Sequence, residues 1–181
     1  FNRTSHAKSF PSQEVFLIDE SFNQYDMYKD LIKQNSSLAL SGSYALRLQG
    51  FKLRREPKDI DIFSATSEML KCENGLSFVG GDANLPPSEA MDEVDRNTYM
   101  LNGEQIDLFF CNNSTKNAAI IANLITVDGV KCVHWKDILS FKVHYSFDSS
   151  ESAEKHREDL IFFFQNNTKV NIPVPLDDLP W

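Results

Sequence analysis

Two aspartates separated by a single residue, in the segment "DIDIF", are the side chains of this sequence best suited to chemistry. Asp59 and Asp61 alternate with isoleucines. Alternate side chains of a strand point to the same side, so both carboxylates would share one face, with their Cα atoms ~6.6–7 Å apart. Unpaired carboxylates at close range repel each other and are costly to bury. The pair therefore lies either at a solvent-exposed strand end, beside Lys58 or Arg55, or around a divalent cation.

A third aspartate lies in another apolar segment, "EQIDLFF". Asp107 follows Ile106 and precedes Leu108. If this strand neighbours the first, three carboxylates converge on one patch. Hard oxygen ligands of this kind suit Mg²⁺ or Mn²⁺. We therefore predict that Asp59, Asp61 and Asp107 are catalytic metal ligands, and that Asp107 can also accept the proton of an attacking hydroxyl.

A Gly-Ser pair precedes the aspartates in "SLALSGSYALRLQ". Gly42 and Ser43 stand between an apolar run and a helix-like segment, where backbone N–H groups and the helix dipole favour phosphate. Gly42 permits close backbone approach, and the Ser43 hydroxyl can cap the helix or bind a phosphate oxygen. Metal ions facing a phosphate-binding turn suit nucleotidyl transfer by in-line displacement from a nucleoside triphosphate.

This arrangement resembles the signature of the DNA polymerase beta-like nucleotidyltransferase superfamily. The matching residues are, in chain order, Leu40, Gly42-Ser43, Asp59-Ile60-Asp61-Ile62 and Asp107. The likeness extends to the AbiEii-type abortive-infection toxin branch, in which a hairpin, a lysine-bearing helix and a basic helix ending in Asp follow the third acid. "VDGVKCVHWKDILSFKVHYS" and "EKHREDLIFF" look like that tail, and the resemblance spans about residues 37–165. One departure is the 15-residue spacing between Ser43 and Asp59, which holds the basic segment "FKLRRE".

The resemblance implies a metal-dependent enzyme that moves a nucleoside monophosphate to a hydroxyl acceptor and releases pyrophosphate. The acceptor is left open among a protein, a tRNA and a small molecule, and the toxin branch implies an antitoxin protein as partner. Lys142 would reach the triphosphate, although its stem could simply cover apolar surface. Secondary site candidates are Arg54, Arg55, Lys58, Lys155, Arg157 and Asp159.

Two other functions remain open at this point. One is nucleotidylation of an antibiotic, as in the aminoglycoside and lincosamide enzymes, for which an acidic acceptor cleft would explain the net charge of −8. The other is a binding module that keeps the fold without turnover. The acidic balance disfavours a large RNA partner, while the basic residues of "FKLRRE" favour one.

The elements that must position these residues predict an α+β fold: a small mixed β-sheet flanked by helices, with a C-terminal helical pair. Residues 1–181 are expected to form one domain, with the sheet core over about 37–111 and the helical pair over about 135–165. Apolar spacing predicts a first helix in "DESFNQYDMYKDLIKQNSS" and a short one in "TSEMLKCENG". Strands are predicted in "SLAL", "DIDIFSA", "LSFVG", "RNTYMLNG", "EQIDLFFCN" and the hairpin "LITVDGVKCVHW". The segment "GGDANLPPSEAMDE" is expected to be a loop, and "NIPVPLDDLPW" an extended tail.

Composition indicates a globular chain, with 41% hydrophobic and 24% charged residues among 181. No apolar run approaches the ~18–20 residues of a membrane span. Cys72, Cys111 and Cys132 are scattered, which argues against a disulfide framework and favours a cytoplasmic protein. The four histidines lack metal-ligand spacing and are interpreted as structural or surface residues.

Overall fold

The structure is a computed structural model that describes residues 20–81, 94–147 and 151–167. These residues form five α-helices and seven β-strands. The helices are α1 (Glu20–Gln34), α2 (Gly42–Leu48), α3 (Ser114–Asn123), α4 (Trp135–Tyr145) and α5 (Glu151–Asn166). The strands are β1 (Leu38–Leu40), β2 (Ile60–Ser64), β3 (Leu76–Gly81), β4 (Val94–Leu101), β5 (Glu104–Cys111), β6 (Ile125–Val127) and β7 (Val130–Cys132).

All described strands belong to one mixed sheet, in the order β3-β4-β5-β2-β1-β7-β6. β2 pairs in parallel with β5, and β1 pairs in parallel with β7, whereas the remaining neighbours are antiparallel. The α+β class is confirmed, but the sheet is larger than the small one predicted. The reason is the hairpin β6–β7: its strand β7 joins β1 through the pair Leu40–Cys132, and the Val133 N–H donates to the Leu40 carbonyl at 2.8 Å.

The helices pack on the central strands, and both contribute fully buried side chains to the core. α1 packs on β1 and β7, α3 on β5, and α2 on β2 and α4. α4 and α5 pack against each other, which confirms the predicted C-terminal helical pair. Among the described residues, none of the helices combines the length and apolarity that crossing a bilayer requires.

The predicted short helix in "TSEMLKCENG" is wrong, because residues 66–73 have no helical structure. Side chains compete for the backbone there: the Ser64 hydroxyl donates to the Thr66 carbonyl at 2.7 Å, and the Tyr99 hydroxyl accepts from the Leu70 N–H at 3.2 Å. Asn74 and Gly75 have φ of 54° and 84°, so "ENGL" forms a turn into β3 rather than a helix end.

Helix α3 was not predicted, although its signals are present in the sequence. The Asn113 side chain caps it by accepting the Lys116 N–H at 3.0 Å, and "NAAIIAN" is rich in good helix formers. The other predicted helices and strands are confirmed. In the predicted loop of residues 80–93, the first two residues belong to β3, and residues 82–93 lie outside the described residues. The tail after residue 167 also lies outside them.

Candidate active site

The turn after β1 is built around the backbone of Asp61. The Ser41 N–H donates to the Asp61 carbonyl at 2.8 Å, which fixes the turn to β2. Gly42 follows with φ +61°, a conformation that disfavours any side chain. A Cβ on Gly42 would lie 1.9 Å from Asp61 Oδ2. Glycine is therefore required both for the backbone conformation and for the space that the carboxylate occupies.

Asp61 and Asp107 lie opposite each other on the parallel strands β2 and β5. Both side chains therefore emerge on the same face of the sheet. Burial raises the pKa of Asp61 to about 7; the charges of Asp107 and Asp59 add to this effect, and those of Lys142 and Arg96 oppose it. The carboxylate pair thus has an excess of negative charge, which a bound proton or a cation would relieve.

Donors from β4 and β5 hold Asp107, which is 7% exposed. Its Oδ1 accepts hydrogen bonds from the Thr98 hydroxyl at 3.0 Å and from Gln105 Nε2 at 3.2 Å. Its Oδ2 lies 3.9 Å from Arg96 Nη1. The carboxylate is therefore fixed in orientation beside Asp61.

Asp59 differs from the strand position predicted for it. It lies one residue before β2 and is exposed, whereas Asp61 is inside the strand. The alternation argument therefore applies to Asp61 but not strictly to Asp59. Both nevertheless border the same cavity.

That cavity, of about 300 Å³, lies between this face of the sheet and the helical pair. The sheet and the turn contribute Ser41, Gly42, Ser43, Asp61, Phe63, Val94, Arg96, Asp107 and Phe109. The segment before β2 contributes Arg55, Glu56, Pro57, Lys58 and Asp59. The helices contribute Ile138, Phe141, Lys142, Tyr145, Ser152, Lys155 and His156. The cavity combines carboxylates, cations and apolar surface, as small-molecule sites do.

Lys142 points into a second charged group, centred on Asp159 of α5. Lys142 Nζ lies 3.3 Å from Asp159 Oδ2, and the two side chains are only 11% and 12% exposed. Arg54 and Arg55 also bond Asp159, at 3.1 Å and 3.2 Å. Burial alone would raise the pKa of Asp159, but the hydrogen bond from Arg55 and the charge of Lys142 lower it below its usual value.

The basic segment "FKLRRE" is therefore docked on α5 and is not a solvated insertion. Arg54 bonds Glu158 at 2.9 Å as well as Asp159. The Lys52 N–H donates to Asn167 Oδ1 at 2.9 Å, and Asn167 Nδ2 donates to the Lys52 carbonyl at 3.0 Å. These bonds join the connection between α2 and β2 to the end of α5.

The remaining candidates divide into those that border the cavity and those that do not. Ser43, Lys58 and Lys155 border it, and Arg54 and Asp159 line a small adjacent recess together with Lys142. Arg157 is directed elsewhere: it pairs with Glu154 at 2.6 Å and donates to the Ser146 carbonyl at 2.5 Å. Ser43 is not the cap of α2, because the helix begins at Gly42 and Ser41 holds the cap position.

The sequence interpretation missed Arg96 and Thr98, which contact Asp107. The Asn102-Gly103 turn in the sequence is a signal from which they could have been identified, because a two-residue hairpin fixes the register of its strands. With Leu101 opposite Glu104, Thr98 must lie opposite Asp107. It also missed Tyr145 and His156, whose helical spacing from Lys142 and Asp159 places them on the same helix faces.

The donor chemistry of this site fits a hard divalent cation. Asp61 and Asp107 present carboxylate oxygens side by side, with Asp59 at the rim, and the charge excess on Asp61 favours a positive ligand. Across residues 20–81, 94–147 and 151–167, no group of three or more His, Cys, Asp or Glu side chains has the arrangement of a metal site.

No protein-family model and no curated protein compared with this chain gives a match. The resemblance to the nucleotidyltransferases thus remains a prediction from the motif residues.

Proposed function

We propose that this chain is a metal-dependent nucleotidyltransferase. It would move a nucleoside monophosphate from a nucleoside triphosphate to a hydroxyl acceptor. The observation that carries the proposal is the in-register pair Asp61–Asp107 on neighbouring parallel strands, with the Gly42 backbone packed against Asp61 at the edge of a cavity. A surface strand with two unrelated acids would not require a glycine at that contact.

Each part of the cavity has a role in this reaction. Asp61 and Asp107, assisted by Asp59, would hold Mg²⁺ or Mn²⁺. When bound, the ion polarises the α-phosphate and neutralises charge on the phosphates. The Gly42–Ser43 backbone offers N–H groups close to Asp61 for phosphate oxygens, and Lys142 lies on the opposite helical wall. Because α2 has only seven residues, the N–H groups and Lys142 would contribute more to phosphate binding than the dipole of this helix.

The transfer itself is a displacement at the α-phosphorus. The acceptor hydroxyl oxygen forms a bond to this phosphorus while the bond to the bridging oxygen of the β-phosphate breaks. Pyrophosphate leaves with that electron pair, and the hydroxyl proton passes to a carboxylate, for which Asp107 is proposed because Thr98 and Gln105 fix its orientation. The acceptor, and an antitoxin partner of the AbiEii type, belong to the proposal only through the family resemblance.

The test is a thermal-shift titration with each of the four nucleoside triphosphates, with and without Mg²⁺. We expect a Mg²⁺-dependent rise in Tm with at least one nucleotide in the wild type and none in Asp59→Ala/Asp61→Ala. Asp95→Ala is the matched control, because Asp95 is an exposed carboxylate on β4 outside the cavity lining. A double variant that binds nucleotide as the wild type does would refute the proposal.

A further inference from the structure

The helical wall of the cavity consists of two layers separated by one helical turn. On α4, the lining residues Ile138, Phe141, Lys142 and Tyr145 follow a single face. Lys142 meets Asp159 of α5, and one turn further along α4, Tyr145 meets His156 of α5. The first layer borders the Gly42–Ser43 side of the site, because Ser43, Lys142 and Asp159 also share the small recess.

The second layer is aromatic rather than ionic. The rings of Tyr145 and His156 lie 5.5 Å apart at an angle of 32°, and Phe141 adds apolar surface on the same face of α4. Three residues of α-helix rise by about 4.5 Å, so this layer is set along the wall from Lys142, as a nucleobase is set apart from its phosphates by the ribose.

His156 supplies a polar atom in this aromatic layer. Its Nδ1 is buried and has no hydrogen-bond partner among the described residues. Burial lowers the pKa of His156 to about 4; Lys142, Arg55 and Lys155 act in the same direction, and Asp159 opposes them. The ring is therefore neutral near pH 7. A buried N–H without an acceptor is costlier than a buried lone pair, so the proton is better placed on Nε2, the nitrogen left to meet a ligand.

We propose that Tyr145, Phe141 and His156 form the subsite for the nucleobase, in which His156 is a specificity-determining residue that donates its Nε2–H to an acceptor atom on the base edge. This inference rests on the proposed function. It differs from the alternative in which His156 merely fills space beside Tyr145, because filling space requires the ring but not the donor.

Binding of Mg²⁺ complexes, measured by calorimetry, separates these alternatives. The probes are inorganic tripolyphosphate and the α,β-methylene analogues of the four nucleoside triphosphates, which cannot release pyrophosphate. In the wild type, at least one analogue should bind more tightly than tripolyphosphate. His156→Phe keeps a ring and should weaken that analogue by roughly tenfold, while tripolyphosphate changes by less than about twofold.

Two variants complete the design. His156→Gln places an amide N–H near the position of Nε2 and should recover most of the lost affinity. His144→Phe makes the same change as His156→Phe at an exposed position of α4 and should leave all probes unaffected.

The outcomes also distinguish the two proposals. If tripolyphosphate binds with Mg²⁺ but no analogue binds more tightly, the base subsite is refuted and the proposed function stands. This comparison of probes requires only the wild-type protein. Equal affinities of His156→Phe and wild type for every analogue would also overturn the role of His156. If neither tripolyphosphate nor any analogue binds, both proposals fail together.

Discussion

Two acidic centres, one in the cavity and one in the adjacent recess, have carboxylates in opposite electrostatic environments. Burial raises the pKa of Asp61 to about 7, and the second carboxylate, Asp107, adds to this effect. Asp159 is surrounded by Arg54, Arg55 and Lys142, and its pKa is lowered. The fold neutralises Asp159 with its own cations but leaves Asp61 with excess negative charge.

Asp159 ties α4, α5 and the segment before β2 together, so its charge is used within the fold. Under the proposed function, the excess charge on Asp61 would instead be compensated by a bound cation. Strongly perturbed carboxylates at a cavity are typical of functional sites, and each prediction below tests one side of this contrast.

The largest effect is expected from Asp159→Asn. Three cations would lose their common partner, and removing one member of a buried ion pair typically costs roughly 3–5 kcal/mol. Because both arginines are about one-third exposed, we expect the free energy of unfolding to fall by about 3 kcal/mol in urea denaturation. Glu158→Gln, an exposed partner of Arg54, should change it by less than about 1 kcal/mol. Equal effects of the two variants would mean that Asp159 is not the centre of the group.

Gly42→Ala tests whether the close contact with the Gly42 backbone fixes the position of the Asp61 carboxylate. The left-handed conformation alone costs roughly 1–2 kcal/mol for alanine, and the new Cβ would displace Asp61 Oδ2. We expect a loss of about 2 kcal/mol in the free energy of unfolding together with loss of Mg²⁺-dependent nucleotide binding. Gly50→Ala is the matched control, because Gly50 has φ +88° and nothing within 4 Å of an added Cβ. If both variants bind nucleotide normally, the contact between Gly42 and Asp61 has no functional role.

Asp61→Asn should stabilise the metal-free protein, unlike Asp159→Asn. Burial raises the folded-state pKa of Asp61 to about 7, above its ordinary value of 3.8, so the folded state binds this proton more tightly than the unfolded state. Its contribution to stability is present below about pH 4 and is lost as the pH rises towards 7. A pKa rise of this size corresponds to about 4 kcal/mol if it acts undiminished. Because Asp61 is only partly buried, solvent screening should reduce the gain in stability of the variant at pH 7.5 to about 1–2 kcal/mol, and at pH 4 the difference should vanish. A destabilised variant at pH 7.5 would show that the fold requires the charge.

The smallest effect concerns His156, beside the Asp159 centre. Burial lowers its folded-state pKa to about 4, below its ordinary value of 6.5, so the unfolded state takes up the proton first as the pH falls. Stability should therefore decline between about pH 6.5 and pH 4. At pH 5 this component corresponds to about 2 kcal/mol if it acts undiminished, and to about 1 kcal/mol after solvent screening of a ring that is only partly buried. His156→Phe should remove it in denaturation curves recorded across the range. The same substitution at exposed His144 provides the background slope. An unchanged slope in His156→Phe would show that the ring is solvated.

Local patterns in the sequence predicted most of the elements, because strand periodicity and hairpin turns are short-range signals. Alternation placed Asp61 and Asp107 on strands, but whether those strands are neighbours was left as a condition, and the structure shows that they pair in parallel. The partners of Asp159 could not be predicted, because the bonds from Arg54 and Arg55 join residues 105 and 104 positions apart. The missing helix at residues 66–75 has a similar cause, since Tyr99 supplies the competing hydrogen bond from a distant strand.

The docking of residues 52–55 on α5 has a consequence for the order in which the cavity forms during synthesis of the chain. The bonds between Lys52 and Asn167 span 115 positions, so the segment before β2 cannot take its final place until α5 has emerged from the ribosome. A nascent chain that already contains Asp59, Asp61 and Asp107 still lacks one wall of the cavity. Under the proposed function, we therefore expect no nucleotide binding by the ribosome-bound intermediate, and binding only once α4 and α5 have packed against each other.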